Sequence, residues 1–104
     1  MIHVIATIEL HPGRRDAFLV ELRNILAPVR AEAGCLDYLP TVDAETTLPA
    51  QATPRTDTVV IVERWENLEA LEDHLVAPHM IEYRSRVRDM IAQVSLQILQ
   101  PVSE

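Results

Sequence analysis

From Ile2 to Leu10 the chain alternates, placing Ile2, Val4, Ala6, Ile8 and Leu10 on one face of a strand and His3, Ile5, Thr7 and Glu9 on the other. The first face is wholly apolar, so one side of this strand belongs to a core. His11-Pro12-Gly13 supplies a turn, after which the period changes. Phe18, Leu22, Ile25, Leu26, Val29 and Ala33 recur at helical spacing, and Gly34 is the expected left-handed residue that closes the helix. Pro28 lies within this helix, lacks an N–H and crowds the carbonyl of Asn24, which predicts a bend around the core.

Residues 35–43 read as a second strand in which Pro40 cannot donate to a ladder, so this strand belongs at a sheet edge or carries a bulge. Residues 44–57, with Pro49 and Pro54 and no periodicity, form a long loop of the kind that serves as a lid or stays disordered. The third strand spans about 57–66, and its run Val59-Val60-Ile61-Val62 is apolar on both faces, as in a central strand. Asn67 is a fitting N-cap for a helix over 68–76, with acidic residues in its first turns. Pro78 at a new N1 position restarts a third helix to about Ile91, and residues 93–100 alternate as a final strand.

The order β-α-β-β-α-β, with its second helix broken, is the split βαβ arrangement of a ferredoxin-like α+β sheet. In that topology the first and third strands are central and the second is an edge, in agreement with the apolar run at 59–62 and with Pro40. Helices on one face leave the other face of the sheet open, yet the central strands carry aliphatic residues on both. A second copy stacking sheet against sheet covers that face most economically, which predicts a homodimer with an isologous interface.

Composition narrows the function. A chain of 104 residues fits a single domain. Aliphatic residues dominate a hydrophobic fraction of 48% while aromatics make up 4%, so each of Phe18, Tyr38, Trp65 and Tyr83 is worth locating. A net charge of −7 with no basic cluster repels phosphate backbones and anionic lipid, which argues against nucleic acid as a partner. The longest apolar run is four residues, against the roughly 20 needed to span a bilayer, so no membrane insertion is expected. One cysteine, Cys35, excludes an internal disulfide, and the start of the chain lacks a signal-peptide pattern, so a cytoplasmic location is expected.

The sequence resembles the antibiotic biosynthesis monooxygenase (ABM) superfamily over nearly its whole length. The resemblance rests on Gly34-Cys35 after the first helix, Glu63-Arg64-Trp65 at a strand end, Leu71-Glu72-Asp73-His74-Leu75, Pro78-His79-Met80 and the terminal Ile98-Leu99-Gln100-Pro101. Within the superfamily, Tyr38-Leu39-Pro40-Thr41-Val42-Asp43 and the loop that follows most resemble the bacterial quinol monooxygenase branch. The resemblance implies a dimeric α+β barrel and oxygenation of quinols or reduced polycyclic aromatics by O2 without flavin, haem or metal. Ground-state oxygen has two unpaired spins, so such a protein must turn its substrate into a good one-electron donor, most simply by deprotonating a phenolic OH. That chemistry needs a base and a dry pocket.

Two histidines are candidate bases. His79 stands at a helix start, where the dipole disfavours the charged ring; the alternative is local packing or hydrogen bonding. His74, flanked by Leu71 and Leu75, can face the sheet. The break at Pro78 lies between them and no third ligand shares their helix face, so no metal is expected. Glu63 and Trp65 lie two apart on one strand face and can border the same cavity, where an apolar setting would raise the carboxyl pKa. The plainer alternatives are a core anchor for Trp65 and an arginine partner for Glu63. Thr7, Tyr38 and Tyr83 offer hydroxyls to a quinol oxygen, and Met80 an adaptable wall. Cys35 reads as a small buried hydrophobe.

Two other functions compete. Haem-binding or haem-degrading relatives combine a strand-one Asn, the Trp and a late-helix His, whereas the corresponding places here hold Thr7 and Arg84, so only Trp65 fits. A non-catalytic small-molecule-binding or stress-response dimer is the other, because fold alone warrants no activity.

Overall fold

Three helices lie on one face of a four-stranded antiparallel sheet. The computed structural model describes residues 1–104 as β1 (Ile2–Leu10), α1 (Arg15–Arg30), β2 (Cys35–Thr41), β3 (Thr58–Trp65), α2 (Leu68–Leu75), α3 (Pro78–Val87), a 3₁₀ turn (Arg88–Met90) and β4 (Ile91–Leu99). The sheet order is β2-β3-β1-β4, so β1 and β3 are central and Pro40 sits on an edge strand, as the sequence predicts. The register pairs Val4 with Glu63, Ala6 with Ile61 and Ile8 with Val59, which puts these side chains on the helix-covered face. Against them α1 buries Phe18, Leu22, Ile25 and Val29, spaced at helical intervals.

The remaining elements follow local chemistry. Asn67 caps α2 by accepting the N–H of Ala70 at 2.9 Å, and Pro78 opens α3, where the missing N–H costs nothing. Between these two signals Val76 and Ala77 leave the helical conformation and separate α2 from α3. The loop between β2 and β3 is closed at its neck by Arg55, which donates through its backbone N–H and Nε to Oδ2 of Asp43 and through Nη2 to Oδ1. This guanidinium holds the Asp43 carboxyl well below the usual carboxylate range.

Several boundaries differ from the sequence reading. Helix α1 runs through Pro28 but ends at Arg30, with Ala31 as its cap, so Ala33 lies outside it and Gly34 does not close it. Gly34 serves a different contact. It holds φ +82°, its carbonyl accepts the N–H of Glu66 at 2.9 Å, and a Cβ there would stand 2.6 Å from Cβ of Ala70. The turn between α1 and β2 must therefore approach the start of α2 at backbone distance. Strand β2 stops at Thr41, and its bulge falls between Cys35 and Asp37 rather than at Pro40. Helix α3 ends at Val87, and β4 starts at Ile91 rather than 93.

The helices cover β1 and β3 but not β4. Val94, Leu96 and Ile98 pair with Ile8, Ala6 and Val4 on the helix side, yet each remains exposed. On the opposite face Ile5, Val60 and Val62 are only half-buried, and Leu39 is exposed.

The two left-handed glycines give a test of this geometry. Gly13, at φ +79°, has open space where a Cβ would go, so Gly13→Ala should cost only the backbone term, about 1–2 kcal/mol. Gly34→Ala adds a clash with Ala70 and should lose at least about twice that in urea unfolding. Equal losses at the two positions would show that the contact of Gly34 with α2 carries no weight.

Candidate active site

Between α3 and the helix-covered face of the sheet lies a cavity of about 330 Å³, within the range of small-molecule sites. Its floor is aliphatic, from Ala6, Ile8 and Ile61, and Met80 and Val87 of α3 face it. Four polar side chains reach into this apolar setting: Tyr38 from β2, Glu63 from β3, His74 from α2 and Tyr83 from α3. Exposed Arg84 and Arg88 stand at its rim, and Val94 and Leu96 border the open side beside β4. Arg84 is anchored by donating through Nη2 to the carbonyl of Leu75, the last residue of α2.

Glu63 is 4% exposed, and its Oε1 accepts the indole N–H of Trp65 at 3.0 Å. Burial pushes its carboxyl up to about 7, assisted by the negative charge of Glu32, although the Trp65 hydrogen bond favours the ionised form. Glu63 therefore stands near the midpoint of its titration at neutral pH. Trp65 is fully buried and packs its ring against His74 with centroids 4.6 Å apart. Tyr38 meets the same imidazole edge-on at 5.5 Å. Burial lowers the affinity of His74 for a second proton, opposed by a hydrogen bond to Glu32. Burial also pushes the Tyr38 and Tyr83 hydroxyls up, so both remain protonated near neutral pH. The Tyr83 hydroxyl is buried without a hydrogen-bond partner, the one orphan of its kind and a ready contact for a polar ligand atom.

The candidates sort clearly. Tyr38, Glu63, His74, Met80 and Tyr83 come together around the cavity. Trp65 does not line it; the indole stands behind Glu63 and His74 and orients both. Glu63 pairs with this indole, not with an arginine. Thr7 lies between Val60 and Ser95 on the opposite face of the sheet, because the alternation that buries Ala6 and Ile8 turns Thr7 away. His79 is also outside the cavity: its Nε2 reaches Oε2 of Glu32 at 2.8 Å. Glu32 itself, in the turn after α1, was not visible as a site residue, since its partners His74 and His79 are 42 and 47 positions away. Cys35 packs partly buried against the core, and burial pushes its thiol up. No group of three or more His, Cys, Asp or Glu side chains is arranged to hold a metal ion.

The chain is thus an α+β protein of ferredoxin-like fold, with an apolar cavity against its sheet that is open beside β4. The sequence pattern described as antibiotic biosynthesis monooxygenase matches residues 1–86, and the chain belongs to that family. It is 37% identical over 103 residues to the probable quinol monooxygenase YgiN of Escherichia coli, covering 97% of this chain and 98% of that protein. The solved structure of Rv0793 from Mycobacterium tuberculosis superposes with a TM-score of 0.80 at 29% identity, covering 99% of this chain and 96% of that one. PA3566 from Pseudomonas aeruginosa gives the same TM-score, 0.80, at 29% identity, over 98% and 94% of the two chains. No helix is long and apolar enough to cross a membrane.

The raised Glu63 pKa predicts a pH-dependent stability. Between the ordinary 4.5 and about 7, folded Glu63 keeps a proton that the unfolded side chain has released, so its contribution falls as pH rises through that window. His74 acts with the opposite sign: its lowered pKa makes stability fall as pH drops below the ordinary 6.5. Glu63→Gln cannot ionise and isolates the first effect. Urea unfolding should show this variant gaining ~3 kcal/mol on the wild type between pH 4.5 and 8. A difference that is flat with pH would mean that Glu63 is ionised throughout.

Proposed function

We propose that this protein oxygenates a quinol, or a related reduced aromatic, with O2 in the cavity beneath α3. The observation that carries the reading is the convergence of His74, Glu63 and the unpartnered Tyr83 hydroxyl on one apolar space. The monooxygenase family and the quinol monooxygenase name of a full-length relative support it.

The substrate supplies both electrons, and no cofactor is required on this reading. A quinol plus O2 yields a hydroxyquinone plus water: one oxygen atom enters the ring, and the other leaves with two hydrogens. His74 takes the phenolic proton, which turns the ring into a better one-electron donor to O2, and returns it to the departing oxygen. Glu63, whose carboxyl burial pushes up to about 7, donates to a quinol oxygen or accepts from it. Tyr83 orients the same ring through its free hydroxyl, and Arg84 and Arg88 at the rim favour the quinolate over the neutral quinol. The aliphatic floor matches a flat apolar ring and excludes the water that would quench the carbanion-like intermediate.

The second part of the proposal is a homodimer. The half-buried Ile5, Val60 and Val62 and the exposed Leu39 form an apolar face that a second copy would cover.

Oxygen uptake by metal-stripped protein with a panel of reduced naphthoquinols and benzoquinols tests the chemistry. Saturable uptake above spontaneous oxidation is expected. His74→Ala should lower kcat by about 10²–10⁴, and Tyr83→Phe should weaken substrate binding roughly fivefold. No excess with any quinol would return the chain to a binding role. Light scattering tests the assembly: a mass near twice 11.7 kDa is expected, and a stable monomer would contradict it.

A further inference from the structure

We propose that Glu32 is a positioning residue for the cavity imidazole: braced by His79, its carboxylate fixes His74 with the proton on Nδ1 and leaves Nε2 as the base. This rests on the quinol reading above for its chemical purpose, though not for its geometry.

Glu32 lies in the turn between α1 and β2 with its side chain 13% exposed. Its Oε1 and Oε2 stand 3.1 and 2.9 Å from Nδ1 of His74, and Oε2 stands 2.8 Å from Nε2 of His79. An ionised carboxylate only accepts, so both facing nitrogens must carry protons. Facing that carboxylate, His74 is inferred to carry its proton on Nδ1 and its lone pair on Nε2. The ring lines the cavity and is 2% exposed, so Nε2 is the nitrogen available to a substrate there.

His79 explains why the carboxylate stays in place. A glutamate in a turn has rotamer freedom and water to turn to; a second N–H, from the neighbouring helix α3, reduces that freedom. The residue that looked like an alternative base thus holds the partner of the true one. A charge argument points the same way. When His74 takes a quinol proton, a buried imidazolium forms, and the Glu32 carboxylate opposite Nδ1 offsets its desolvation, as a carboxylate does wherever it sets the tautomer of a basic imidazole. The proton returns from Nε2 to the departing oxygen as water forms, so Glu32 need not take it.

The groups that face His74 are Glu32 from the turn, Tyr38 from β2, Glu63 and Trp65 from β3, and His79 and Arg84 from α3. The acidic side chains of its own helix, Glu69, Glu72 and Asp73, are exposed. Glu32 is the anion in direct contact, so its neutralisation dominates any change in the titration of His74. Loss of that anion must lower the affinity of His74 for a proton, moving the acid limb of a base-catalysed rate profile to lower pH while the weaker base lowers the plateau.

Two measurements test this. The pH profile of quinol oxygenation should show Glu32→Gln losing about 10²-fold in kcat, with KM within twofold, its acid limb at lower pH, and partial recovery in Glu32→Asp. A variant with wild-type kcat, or one reduced equally at every pH with an unmoved limb, would overturn the positioning role. Independently of substrate, long-range ¹H–¹⁵N spectra of the wild type should show His74 as the Nδ1–H tautomer near neutral pH, and Nε2–H would overturn it. If the wild type oxygenates no quinol, the function proposed above fails; the tautomer then decides the positioning role alone, Nδ1–H supporting it and Nε2–H rejecting it.

Discussion

A carboxylic acid stands on the apolar face of this sheet, and the cavity's chemistry depends on how that is tolerated. Because side chains repeat every two residues along a strand, Glu63 must share a face with Ile61 and Trp65, directly across from Val4. An ionised carboxylate there would forfeit several kcal/mol of solvation. The fold answers in two ways: the indole N–H of Trp65 supplies one hydrogen bond at 3.0 Å, and the carboxyl keeps its proton up to about pH 7. The result is a group that can give or take a proton near neutral pH in a space lined mostly by apolar side chains.

A second carboxylate organises the helices around the first. Asn67 and Pro78 set the two helix starts, and the turn between them divides the labour: α2 carries His74 inward while α3 carries Met80 and Tyr83. Glu32 ties both helices to the end of α1 through one imidazole from each. The close approach of Gly34 to Ala70 belongs to the same junction, since the turn that presents Glu32 must pass against α2 with no side chain between them. Packing and chemistry therefore meet at residues 32–34, a segment without a reactive group of its own apart from that carboxylate.

Much of this was legible along the chain, because it is encoded locally. Alternation at 2–10, the run 59–62 and Pro40 identified the central strands and the edge; Asn67 and Pro78 marked the helix starts; the spacing of Glu63 and Trp65 gave their shared face. Errors arose where distant contacts decide. Gly34 reads as a helix end but answers to Ala70, 36 positions on. Thr7 looked suitable by chemistry, yet the same alternation that identifies its strand turns it to the face away from the helices. His79 looked like His74 in sequence and meets the same Glu32 carboxylate, and what separates them is that only His74 lines the cavity. Glu32 carried no signal, since an acidic residue after a helix is ordinarily solvated.

On the proposed function, the cavity beneath α3 receives a flat aromatic diol in contact with the groups gathered there. An anaerobic crystal structure with a reduced naphthoquinol tests it most directly. The ring is expected within the cavity against Ile61 and Met80, with one oxygen within hydrogen-bond distance of the Tyr83 hydroxyl and another within reach of Nε2 of His74 or the carboxyl of Glu63. A quinol bound on the opposite face of the sheet near Thr7, or a cavity that stays empty at saturating ligand, would contradict it.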